Sequence, residues 1–196
     1  MNSLQEAAEE PELERRAPID VVFLDWGNTL MVDDGAQDGP MATWTHVAAM
    51  PGAHEALRRR RPRYRLVVAT NAEESGVQEV RAALARVGLD ALVDDVISSH
   101  DVGARKPDPA FFRAALRAAS TGQPPVPRRA VMVGDSWSND VAGARAAGLR
   151  AVWLNPSGAR RPCGAPGPDA EIRGLFELPR TLERLDCPPG VRRAQD

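Results

Sequence analysis

Residues 21–30 read Val-Val-Phe-Leu-Asp-Trp-Gly-Asn-Thr-Leu, and the fold is decided there. Val21 to Leu24 are apolar without a break, and all but the last are β-branched or aromatic. Such a run predicts a short strand buried on both faces. It stops at a carboxylate. Asp25 therefore stands where a buried strand opens into a loop, the usual place for ligand chemistry in an open α/β sheet. Asp also begins ordinary turns, so the assignment depends on what the rest of the chain brings beside it.

The same punctuation recurs along the chain. Leu66 to Ala69 form an apolar run that ends in Thr70-Asn71, and Val96 to Ser98 read as a short third strand. Ala130 to Val133 run into Gly134-Asp135-Ser136-Trp137-Ser138-Asn139-Asp140, and Ala151 to Leu154 make a fifth strand. Between them lie helical spacings. Ala53 to Arg60 carry Ala53, Ala56 and Leu57 on one side. Val77, Val80, Leu84 and Val87 lead to a stop at Gly88. Phe112, Ala115, Leu116 and Ala119 mark another core face; Val141, Ala144 and Gly148 mark a fourth, and a last helix is expected over Leu178 to Leu185. Met41 to Met50 read as a further short helix, ended by Pro51-Gly52. Residues 31–40 and 155–168 are turn-rich loops.

Strands alternating with helices predict an α/β fold: a Rossmann-like three-layer sandwich with a mostly parallel central sheet. Right-handed crossovers put all the strand carboxyl ends on one edge. Asp25, Thr70, the Lys106 loop and Asp135 should therefore open onto one crevice. The organisation expected is one core domain over 18–186, with disordered tails at 1–17 and 187–196.

Composition narrows the function. The 196 residues are 43% hydrophobic and 27% charged, ordinary for a globular domain, and the net charge of −2 gives no pull toward nucleic acid or an anionic membrane. No apolar run approaches a bilayer span, and the acidic amino-terminal stretch lacks a signal core, so a cytoplasmic location is expected. Cys163 and Cys187 have no metal-ligand spacing. The basic run Arg58-Arg59-Arg60-Arg61 reads first as a solvated helix end that suits the dipole; a polyanion site is the sharper alternative.

Three carboxylates, Asp25, Asp135 and Asp140, would meet in the crevice. Like charges so placed repel unless a cation joins them, and an oxygen-only ligand set favours magnesium. Lys106 supplies a point charge suited to phosphate, and Thr70 and Asn71 offer hydrogen bonds to phosphoryl oxygens. A carboxylate nucleophile, a metal and a lysine suit phosphoryl transfer, where charge stabilisation dominates.

The stretches VVFLDWGNTL, VVATN, GARKPDPAFF and VMVGDSWSND, in that order, resemble the four signatures of the haloacid dehalogenase-like hydrolase superfamily. The resemblance covers residues 19 to about 155. It implies a magnesium-dependent phosphatase in which Asp25 is the nucleophile and forms an aspartyl-phosphate. The Gly27 carbonyl and Asp135 would join Asp25 on magnesium, with Asp140 supporting the metal shell and orienting Lys106. Thr70 and Lys106 would hold the phosphoryl group, with Asn71, Trp26 and Asn28 at the substrate. The expected partner is a phosphorylated small molecule or macromolecule, with no membrane and no nucleic acid. Other reactions of the superfamily, on phosphonates or carbon–halogen bonds, and a non-catalytic phosphate- or protein-binding module are the alternatives.

Two departures stand out. The family's phosphatases carry a second Asp two residues after the nucleophile as general acid and base, and here that position is Gly27, followed by Asn28. A general acid is worth roughly 10²- to 10⁴-fold, so slower catalysis, weakest on alkyl phosphates, is expected, with His46 the first candidate for a replacement. The second departure is the cap domain, which is expected to be absent or very small. Residues 31–51 stand in its place, with Trp44 and His46 as candidate contacts.

Overall fold

The computed structural model describes residues 18–186 except 34, 36, 37, 61, 123 and 124. The expectation of disordered tails at 1–17 and 187–196 falls outside those residues. Six strands form one sheet: β1 (Val21–Leu24), β2 (Arg65–Thr70), β3 (Asp95–Ser98), β4 (Ala130–Gly134), β5 (Arg150–Leu154) and β6 (Ala170–Ile172). Their order is β3-β2-β1-β4-β5-β6, and every pairing is parallel. The helices are α1 (Ala53–Arg60), α2 (Val77–Arg86), α3 (Ser99–Val102), α4 (Pro109–Ala118), α5 (Gly143–Ala146) and α6 (Leu178–Asp186).

The unbroken apolar strands serve two cores at once. Val22 and Leu24 of β1 join one core with α1, α2 and α6, while Val21 and Phe23 join the other with α4 and α5. Alternate residues pointing to opposite faces produce this division. It makes the three-layer α/β sandwich read from the sequence. On the second face Phe111 and Phe112 of α4 meet edge to face at 5.8 Å. Helix α4 starts sharply because Asp108 accepts a hydrogen bond from the Ala110 amide at 2.7 Å and Pro109 occupies the first helical position.

Two expectations are corrected, and two features are added to them. Met41 to Met50 do not form a helix: only Met41–Thr43 make a 3₁₀ turn. The segment instead returns extended beside the chain after β1, with Met31 bridging Ala49 antiparallel. Backbone bonds from Val32 to Ala48 (2.9 Å) and Met50 to Leu30 (2.8 Å) hold it there, because apolar Leu30 and Met31 need cover that a detached helix would not give. Gly148 does not face the sheet; it is exposed with φ +82 and ends α5. The helix after β4 begins as a π-turn over Trp137–Ala142. Strand β6 lies just beyond the loop that the sequence showed only as Pro/Gly-rich.

The arginine run sits at the amino-terminal edge of the sheet, away from the crevice. Arg59 pairs with Glu55 at 3.0 Å, Arg60 with Glu183 at 2.7 Å, and Arg63 with Asp186. Its cations pin α1 and the start of β2 to α6. Among the described residues no helix is long and apolar enough to cross a membrane.

Phe23 is fully buried on the central strand. Phe23→Ala is expected to lower unfolding free energy by about 3–5 kcal/mol, read as a lower urea midpoint at unchanged slope.

Candidate active site

The sheet order reverses between β1 and β4, so their carboxyl ends diverge at a switch point where open α/β sheets bind ligands. Leu24 registers with Val133, and the Asp25 amide donates to the Val133 carbonyl at 2.9 Å. Asp25 and Asp135 are thereby brought side by side at the end of adjacent strands. The crevice above them is about 500 Å³, within the range of small-ligand pockets of roughly 300–1,000 Å³. Asp25, Thr70, Lys106, Asp135 and Asp140 all line it.

Lys106 is the centre of the arrangement. Its side chain is 2% exposed, and Nζ donates to Asp25 Oδ1 and Asp140 Oδ1, both at 2.6 Å. Its main chain is also held: Asn71 Nδ2 donates to the Lys106 carbonyl and the Lys106 amide donates to Asn71 Oδ1, each at 2.8 Å. The Asn71 side chain thus has both ends committed to positioning Lys106. Asp140 is placed by the π-turn, where its Oδ2 accepts the Ser136 amide at 3.0 Å. Gly134 makes room for it, since a Cβ at that position would stand 2.3 Å from the Asp140 carboxyl carbon.

Asp25, Asp135 and Asp140 offer carboxylate oxygens that all lie within 4.8 Å of one another. Oxygen donors this close suit a hard divalent cation. Their electrostatics agree. Burial, reinforced by the Asp25 charge, raises the Asp135 carboxyl above its ordinary range, and the same two causes push Asp140 up to about 7 against the opposing pull of Lys106. Burial works against the Lys106 charge, yet attraction to Asp25 and Asp140 outweighs it and holds the ammonium above its usual range.

The remaining site candidates divide. Thr70 is buried at the end of β2 and faces the crevice. Asn28 is exposed in the left-handed region, φ +51, and its Oδ1 accepts the Asp33 amide at 3.1 Å. Gly27 lines the crevice beside it. Trp26 also borders the crevice, but it is 1% exposed and packs in the core with Leu24, Leu30 and Met31. Its indole is therefore corrected from a substrate contact to a core side chain, because so large an apolar group next to β1 is best covered. Trp44 does line the crevice, with Nε1 donating to the Gly39 carbonyl at 2.9 Å. His46 is exposed and is not among the lining residues.

Sequence reasoning missed two supports. Thr29 Oγ1 lies 3.5 Å from Asp135 Oδ1, and Trp153 Nε1 donates to the Asp135 carbonyl at 2.9 Å. A polar residue inside the first signature was the available hint for Thr29. Trp153 carried none, because its role depends on β5 lying beside β4.

The raised carboxyls have a consequence for stability. A carboxyl raised in the folded state holds its proton more tightly there, so its contribution is complete below the ordinary value of 3.8 and is lost as pH climbs. In chelator, Asp135→Asn removes one of the repelling groups. The melting temperature of the variant relative to wild type is expected to rise from pH 4 upward and to level off once the raised Asp135 carboxyl is ionised. Thermal melts of both proteins across that window test it; a constant difference would contradict it.

Known proteins bear on the same residues. The family of haloacid dehalogenase-like hydrolases matches residues 42–148, more than half of the chain, a span holding Thr70, Lys106, Asp135 and Asp140. The chain is 32% identical over 162 residues to the pyrimidine 5'-nucleotidase YjjG of Escherichia coli, covering 82% of this chain and 69% of that protein. It is 40% identical over 105 residues to a phosphoserine phosphatase of Thermus thermophilus, covering 53% of this chain and only 40% of that protein. An uncharacterized protein from Listeria monocytogenes serotype 4b has a crystal structure that superposes with TM-score 0.72 at 26% identity, covering 85% of this chain and 98% of that one. With residues of all four signatures lining one crevice, this chain belongs to the haloacid dehalogenase-like hydrolases.

Proposed function

We propose that the chain is a magnesium-dependent phosphohydrolase that works through an aspartyl-phosphate on Asp25. The observation that carries this reading is the Lys106 ammonium held at 2.6 Å from both Asp25 and Asp140 beside Asp135. That kit offers a nucleophile, a cation for the phosphoryl oxygens and an oxygen-only metal site. Asp25, Asp135 and the Gly27 carbonyl would hold magnesium, with Asp140 in support. When bound, magnesium neutralises the carboxylates and the phosphate dianion so that the two can approach.

The chain's own groups do the rest. One Asp25 oxygen attacks phosphorus from the floor of the crevice. Lys106 holds the transferring oxygens and Thr70 donates to them. Asn71 keeps Lys106 in place, and Gly134 leaves room for Asp140. The substrate is a phosphorylated compound, small or macromolecular, reaching a crevice bordered by Asp33, Asp38, Gly39, Met41 and Trp44. A phosphate-bearing substrate accords with the phosphatase and nucleotidase relatives, and the protein is assigned a cytoplasmic role without membrane or nucleic-acid partners. Carbon–halogen hydrolysis fits less well, because it has no use for Asp135 and Asp140 together.

Rapid acid quench with radiolabelled p-nitrophenyl phosphate tests the reaction. Covalent label on wild type in magnesium, and none on Asp25→Asn, is the expected outcome; turnover without label would sink the covalent route. Magnesium at a hundred times its dissociation constant is expected to stabilise wild type by about 2.7 kcal/mol. Asp135→Asn is expected to lose that gain. Identical melting temperatures of wild type in magnesium and in chelator would remove the metal from the proposal.

A further inference from the structure

The absence of a carboxylate at Gly27 is a gap in sequence, and the fold fills it from elsewhere. A Cβ placed on Gly27 would stand 3.2 Å from Asp33 Oδ2, and the three nearest heavy atoms to that point all belong to the Asp33 side chain. Asp33 lines the same crevice as Asp25 and Lys106. Its carboxylate thus occupies the space into which a side chain at 27 would project.

The position is built. The chain doubles back after β1 through hydrogen bonds that the Thr29, Leu30 and Met31 amides donate to the Trp26 carbonyl, with Asn28 at φ +51 in the turn. Val32 is fastened to Ala48. Asn28 Oδ1 then accepts the Asp33 amide at 3.1 Å, and the Gly35 amide donates to Asp33 Oδ1 at 2.9 Å. One carboxylate oxygen is held by the loop. The other, Oδ2, faces Gly27. Asp38, Glu73 and Glu74 also border the crevice, but none supplies any of the three atoms nearest to that point.

We infer that Asp33 is the general acid and base of this enzyme, delivered by the loop after β1 into the space that Gly27 leaves open. The inference rests on the phosphohydrolase reading above. In the first step an Asp25 oxygen bonds to phosphorus, the ester P–O bond breaks, and the departing oxygen takes the proton of the Asp33 carboxyl. In the second, a water oxygen bonds to phosphorus, its proton passes to the Asp33 carboxylate, and the P–O bond to Asp25 breaks. Asp25 is regenerated as a carboxylate, inorganic phosphate leaves, and Asp33 is again protonated. Gly27 is then a requirement of the site: a side chain there would displace the carboxylate that does the work.

Two substrates of similar size separate leaving-group effects from binding. p-Nitrophenyl phosphate releases an acidic phenol, whereas benzyl phosphate releases an alcohol that needs a proton. Asp33→Asn keeps both loop hydrogen bonds, since an amide oxygen still accepts from Gly35. It is expected to lower kcat/KM on benzyl phosphate by about 10²- to 10⁴-fold and on p-nitrophenyl phosphate by under about tenfold. Loss of the base should also show as a burst of p-nitrophenol followed by slow turnover, with label accumulating on Asp25. Gly27→Asp alone is expected to lower activity on benzyl phosphate by crowding Asp33, while Gly27→Asp with Asp33→Gly restores part of it. Equal losses on both substrates, or no loss on benzyl phosphate, overturn the role of Asp33 while leaving the phosphohydrolase intact. A wild type that turns over neither substrate overturns both, and only then is the reaction class itself at fault.

Discussion

A lysine ammonium 2% exposed to solvent is stable only where opposite charges meet it, and Lys106 has two, Asp25 and Asp140. Much of the site depends on that clamp. Asp25 comes from the end of β1, Asp140 from the π-turn after β4, and Lys106 from the loop before α4. Asn71, just past β2, grips the Lys106 main chain on both sides. One residue therefore cross-links the ends of three strands. Breaking a buried pair by removing one partner costs about 3–5 kcal/mol, so the clamp resists fluctuation while leaving carboxylates in excess of ammonium. That excess of negative charge is what a divalent cation would relieve.

Close approach makes the clamp possible. Gly134 lets the Asp140 carboxyl lie over bare backbone, and Gly143 does the same for Pro107, whose Cβ stands 2.7 Å from where a side chain at 143 would begin. The loop carrying Lys106 is thereby pressed against the first turn of the α5 region. The Asp135 carbonyl accepts from the Trp153 indole, which in turn stacks edge to face with Trp137 at 4.9 Å. These contacts tie the second core to the rim of the crevice, so packing on that face and the site geometry are not independent.

Most of the fold was legible because unbroken apolar runs and 3.6-residue spacings are strong signals. Val21 to Leu24, Leu66 to Ala69 and Ala130 to Val133 could only be strands covered on both faces, and Asp25, Thr70 and Asp135 mark where each lets go. The three carboxylates and Lys106 were legible for the same reason, since parallel topology puts those ends together. Residues 41–50 were misread because Met41, Trp44, Val47 and Met50 keep a helical spacing that arises here from cover over the core by an extended chain. Strand β6 is three residues long and sits at the edge, too short for alternation to show. The roles of Trp26 and Asn71 depended on where side chains point, which spacing does not specify. The arginine run is neither a merely solvated helix end nor part of the crevice, since Glu183 and Asp186 answer Arg60 and Arg63 and tie α1 to α6.

Gly27 shows where reading along the chain stops being informative. Counting two residues from Asp25 finds no acid there. Proton transfer depends on contact between atoms and is indifferent to how many residues separate them. The left-handed Asn28 reverses the chain within a few residues, and the pairing of Met31 with Ala49 fixes the direction in which it leaves. Asp33 returns beside Gly27, at a place six positions later than the sequence pattern anticipates. The same Asn28 that sets the reversal also accepts the Asp33 amide, so the turn and the carboxylate are one device. Moving an acid from a strand end to a loop has a physical cost, because a loop side chain is held less rigidly than one on a strand. Here the Gly35 amide on Oδ1 offsets part of that cost. It fixes one oxygen and leaves the other to face the gap that a glycine keeps clear.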